Sequence, residues 1–64
     1  MNTYKIIKYS PAAGSEEIFA SDDYNNATEQ WGKLDTESLH EFESYALEKW
    51  SESDLMDILD TKER

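Results

Sequence analysis

The chain has 64 residues, no cysteine, and fifteen acids against six bases, a net charge of −9. That excess repels phosphate and speaks against direct contact with nucleic acid or an anionic membrane. Without thiols there is no disulfide or thiolate zinc site, so a chain this short must be held by packing of its eight aromatics and its aliphatics, or by dimerisation.

The imbalance is uneven. Residues 1–9 hold Lys5 and Lys8 and no acid, whereas every acid lies beyond them. No apolar run resembles a leader or a membrane span, and the expected location is the cytoplasm. The aromatic content favours a folded chain, and residues 1–64 are expected to form one compact domain with 61–64 frayed.

Residues 3–9, TYKIIKY, read as a strand that Pro11 terminates. Both of its faces carry an Ile and a Tyr, so the inward face is ambiguous. Residues 10–15, SPAAGS, read as a turn with Gly14 supplying positive φ, and residues 16–20, EEIFA, as a second strand. Two strands alone are marginal in water and need a helix laid across them.

Ser21 and Asp22 look like an N-cap. Tyr24, Ala27, Trp31 and Leu34 follow at helical spacing, predicting an amphipathic helix from about residue 22 to 31 or 34. The stretch Ser38–Glu52 places Leu39, Phe42, Ala46 and Trp50 on a second helical face. On a helix, Glu37, Glu41, Glu48 and Glu52 fall within roughly 60° of each other on the opposite side. The competing reading makes residues 42–47 a third strand. Residues 54–60, DLMDILD, read as a final short helix with Leu55, Met56 and Leu59 inward.

The expected architecture is therefore α+β: an N-terminal antiparallel hairpin, two amphipathic helices and a short C-terminal helix. The predicted core is Ile6, Ile18, Tyr24, Ala27, Trp31, Leu39, Phe42, Ala46, Trp50, Leu55 and Leu59, with Phe19 competing with Ile18.

Motifs for chemistry are sparse. Glu37, His40 and Glu41 form half of a helical metal site, but no second His or Cys completes it. Asp54, Asp57 and Asp60 lack the glycine and spacing of a calcium loop. Phosphate-loop, elbow-serine and Cys/His signatures are missing, so no catalytic residue, metal or cofactor is expected and the chain reads as a non-enzyme. Base stacking on the aromatics would need a positive groove, and the surroundings are negative.

The acidic stripe is the remaining signal. Like charges one turn apart cost a few tenths of a kcal/mol each, so retaining them in a small domain suggests use. Glu37, Glu41, Glu48 and Glu52, extended by Asp22, Asp23, Glu29, Asp54 and Asp57, form the candidate face, with Tyr9, Phe19 and Tyr45 as an aromatic rim. In size, charge and layout the chain resembles small phage-encoded inhibitors of host defence, the anti-CRISPR and anti-restriction proteins that mimic nucleic acid. That resemblance implies a basic, nucleic-acid-handling partner whose groove the acids occupy. The alternative is a regulatory module that dimerises through the hairpin side bearing Lys5, Ile7 and Tyr9.

Overall fold

The computed structural model describes residues 2–64. It is mostly β: strands β1 (Asn2–Ser10), β2 (Gly14–Ser21), β3 (Ser44–Ser51) and β4 (Asp54–Glu63) with one helix, α1 (Tyr24–Lys33), between the two hairpins. The strands form one antiparallel sheet in the order β2-β1-β3-β4. The N-terminal hairpin and first helix appear where the sequence places them. The second and third helices do not exist, which replaces the expected α+β arrangement of three helices with a four-stranded sheet and one helix.

β1 and β3 are the interior strands and explain each other. Each is paired on both sides, so consecutive residues on opposite faces are both buried: Ile6 with Ile7, and Tyr45 through Glu48. Ile6 and Leu47 face α1, together with Tyr45, and Phe19 packs at the margin of this cluster in place of Ile18. α1 contributes Ala27 and Trp31. Its N-cap is Asp23, one residue later than the sequence suggests: the Asp23 carboxylate accepts the Asn25 N–H at 2.9 Å. Leu34 closes the other end by donating its N–H to the Trp31 carbonyl at 3.2 Å.

The region 38–52 divides in two. Residues 34–43 are a loop pinned by the buried Leu39 and by turns closed onto the Thr36 and His40 carbonyls. From Ser44 the chain is strand. Good helix formers such as Ala46, Leu47, Glu48 and Lys49 are overridden by pairing with β1 on one side and β4 on the other. Of the predicted core, Ile6, Ala27, Trp31, Leu39 and Ala46 are buried and Trp50 is half-buried. Ile18, Tyr24, Phe42, Leu55 and Leu59 are exposed.

β4 occupies the C-terminal segment read as a short helix, and it continues through residues 61–63, which were expected to fray. Two register shifts against β3 leave Leu59 and Met56 as extra residues, and a third between β1 and β2 leaves Ile18. All three bulge residues are exposed apolar side chains on edge strands.

Candidate acidic interface

The four glutamates at the centre of the predicted stripe do not share a face. Glu37 and Glu41 lie in the α1–β3 loop, Glu48 is in β3, and Glu52 is in the β3–β4 turn with φ 56°. Glu48 is fully buried and cannot meet a partner. Its side chain lies on the sheet face away from α1. There its carboxylate accepts the Trp50 indole N–H at 2.9 Å and a short hydrogen bond from the Tyr9 hydroxyl. That bond, with burial and the adjacent negative charge as lesser causes, pushes the Tyr9 phenol up to about 12.

The aromatic rim is also redrawn. Tyr45 belongs to the core and Phe19 packs against it, so neither is a surface contact. Only Tyr9 stays at the surface, and its hydroxyl is engaged with Glu48.

The remaining predicted acids are exposed but scattered. Asp22 and Asp23 precede α1, and Asp23 is occupied as its cap. Glu29 pairs with Lys33 at 3.3 Å on the helix surface. Asp54 and Asp57 stand on β4, where the sequence reading stopped short of Asp60 and Glu63.

The β4 ladder shows why these belong together. Asp54 is opposite Ser51, Asp57 opposite Lys49 and Asp60 opposite Leu47, and those three β3 residues alternate along one face. Each bulge adds a residue between acids, so a spacing of three keeps all three aspartates on the α1 side of the sheet. Leu55 and Ile58, opposite Trp50 and Glu48, project to the other side. Asp60 accepts the Trp31 indole N–H at 3.1 Å. Lys62 donates to the carbonyls of Trp31 at 2.6 Å and Leu34 at 3.2 Å, and its ammonium lies 4.9 Å from the Trp31 ring centre. It thus satisfies the C-terminal end of α1.

One carboxylate off the strand is well held. Glu43 accepts the His40 backbone N–H at 2.6 Å and faces Lys8 at 3.9 Å. The His40 N–H chiefly, helped by Ser10, Lys8 and the His40 ring, holds its carboxyl below the usual carboxylate range against some desolvation. Beside it, Phe42 takes φ 67° with its ring 79% exposed over a shallow concavity bordered by Glu41, Glu63 and Arg64.

Thirteen of the fifteen acids are exposed, Glu43 and Glu48 being the two that are not. Of those thirteen, only Glu17 and Glu29 form ion pairs among the described residues, with Lys5 at 3.2 Å and Lys33 at 3.3 Å. No group of side chains suited to holding a metal ion occurs among the described residues. Comparison with protein-family models, curated proteins and solved structures finds no match.

Proposed function

We propose that the protein is a non-catalytic binding module whose acidic surface engages the basic, nucleic-acid-binding groove of a partner protein, acting in the cytoplasm as an inhibitor of a CRISPR effector, a restriction enzyme or a similar machine. The observation that carries this reading is the set of eleven exposed carboxylates without an ion-pair partner among the described residues. The face is not the helical stripe of the sequence reading. It consists of the acids along β4 and those of the α1–β3 loop. A negative surface of this kind speeds encounter with a positive groove and rejects like-charged partners.

The test is competition. The protein is titrated into complexes of duplex DNA or structured RNA with a panel of nucleic-acid-binding enzymes, at low and at physiological salt. Displacement that weakens with salt, and weakens again in Glu37→Lys with Glu41→Lys, is the expected result. No displacement of any panel member at low salt refutes it.

A second reading is a homodimer through the sheet face bearing Lys5, Ile7 and Tyr9, the face opposite α1, on which Ile7 is itself buried. Tyr9, Leu55 and Ile58 are exposed on it. Sedimentation at high concentration distinguishes this reading, since a monomer there removes it.

A further inference from the structure

We infer that the outer edge of β4, centred on residues 54–59, accepts an extended basic segment of the partner as a fifth strand that continues the antiparallel sheet. This rests on the acidic-surface reading above and specifies where and how the partner is held.

The edge is open in the sense that matters for strand addition. β4 pairs with β3 on one side and, among the described residues, with no strand on the other, so the outward N–H and C=O groups flanking its bulges at Met56 and Leu59 form the template. Nine of its ten residues are exposed, and only Lys62 is partly covered. The exposed set is unusually apolar for an edge: Leu55, Met56, Ile58 and Leu59 are 45%, 60%, 51% and 37% exposed. The C-terminal half is tied to α1 and its loop through Asp60, Lys62 and Arg64, which leaves the half before Asp60 as the accessible template.

Charge selects the occupant. β4 carries Asp54, Asp57, Asp60 and Glu63 against Lys62 alone, and the Lys62 ammonium is already committed to two carbonyls and the Trp31 ring. A second copy of the chain docked edge to edge would bring two such acidic rows together with no uncommitted cation on β4 itself to neutralise them. Edge strands commonly use lysines to block pairing of any kind. A row of aspartates blocks pairing with itself but attracts a strand of opposite sign. The two faces of β4 define that strand further. Its aspartates lie on the α1 side and Leu55 and Ile58 on the other, so the complementary segment alternates Lys or Arg with aliphatic residues.

The second edge, β2, is the weaker template. Its Glu17 is already paired with Lys5, and Ile18 at its bulge is its one exposed large apolar side chain among the described residues.

The probe is a capped peptide of alternating Lys and Val, added to the isotopically labelled full chain. Amide exchange and chemical shifts locate binding, and anisotropy gives affinity. Two further peptides carry N-methyl groups on one or the other alternate set of residues. Their charge equals that of the parent, but only one set of N–H groups can face β4. The expected result is new protection within residues 54–59, near-complete loss of binding for one N-methylated peptide, and retention for the other. An alternating Glu and Val peptide should not bind. Asp54→Lys with Asp57→Lys should weaken the parent peptide about tenfold at low salt.

Equal binding by both N-methylated peptides overturns strand addition while leaving the acidic-surface reading intact, because charge alone then suffices. Protection on β2, no binding of the parent peptide at millimolar concentration, or concentration-dependent protection of β4 without peptide each overturns it as well. The last of these would assign the edge to a second copy. Failure of the acidic-surface reading is seen separately, in the nucleic-acid competition.

Discussion

Glu48 is the residue whose replacement says most about this sheet. In Glu48→Ala the two donors behave differently. The Tyr9 hydroxyl lies at the rim, 37% exposed, and can turn to water. The Trp50 indole N–H is partly buried and loses its acceptor, a cost of about 1–3 kcal/mol. The lost side-chain methylene contacts add about 1 kcal/mol. The sum, about 2–4 kcal/mol, is a large part of the roughly 3–10 kcal/mol available to a domain of this length. Glu48→Gln should cost far less. Its carbonyl can still accept from Trp50, and its amide can donate to the Tyr9 oxygen if the hydroxyl reverses. The weaker neutral hydrogen bonds are offset by no longer holding a carboxylate out of water with no cation within ion-pair distance among the described residues. Urea unfolding followed by tryptophan fluorescence gives both numbers, with unchanged m-values showing that the native and unfolded states are comparable. Equal losses for Gln and Ala would refute the reasoning, because the charge rather than the hydrogen-bond geometry would then be essential. A loss below about 1 kcal/mol for Ala would refute the burial itself.

Tyr9 should ionise late, near its raised value of about 12. Because the folded state favours the protonated phenol, its contribution is complete below the unfolded value of about 10 and is lost as pH rises toward the folded value. Phenolate absorbance on alkaline titration, compared with Tyr9→Phe, should show this late step, and Glu48→Gln should bring it earlier. Glu43 acts at the other end of the scale. Its lowered carboxyl stabilises the fold above the unfolded carboxylate pKa of about 4.3 and loses that effect as pH falls through the folded value. The urea midpoint of Glu43→Gln should accordingly fall less on acidification than that of the unaltered chain. Phe42→Gly should raise the melting temperature, since a left-handed φ of 67° suits glycine and the exposed ring loses little burial. The gain is up to about 1 kcal/mol after glycine's greater unfolded freedom is subtracted, and Phe42→Ala should show none of it. A lower melting temperature for Phe42→Gly would mean that the ring is packed.

What could be read from the residues follows from how many sides of each segment are covered. The first hairpin was legible because TYKIIKY is rich in β-formers and Pro11 and Gly14 mark its turn. Helix α1 was legible because one face alone meets the sheet, so Ala27 and Trp31 keep the helical interval. β3 was not. As an interior strand it buries both faces, and the polar Glu48 interrupts the apolar run that would have announced it. Its glutamate then joined Glu37, Glu41 and Glu52 in an apparent stripe drawn from a loop, a strand and a turn. The signal that could have identified Glu48 is its company: Tyr9 and Trp50 each bring a donor that a buried carboxylate can use.

β4 was misread for a different reason, and the reason carries the functional argument. Alternation in a strand has a period of two, but each bulge inserts one residue and makes the local interval three. Two bulges in succession, at Met56 and Leu59, turn Asp54, Asp57 and Asp60 into a repeat that imitates the solvent face of a helix. The same two insertions keep the three aspartates aligned beside Lys49 and Leu47 on one side of the sheet while Leu55 and Ile58 take the other. Without the bulges, acids three apart would alternate sides and β4 would present no consistent row of charge to either face. Deleting Met56 therefore tests the link directly. It removes the inserted residue, so Asp54 and Asp57 become two apart in a regular strand and stay on the α1 side, and the strand should keep both its pairing with β3 and its preference for the alternating basic peptide. Loss of that preference with the fold intact would show that Met56 is not the inserted residue and that the charge layout is set otherwise.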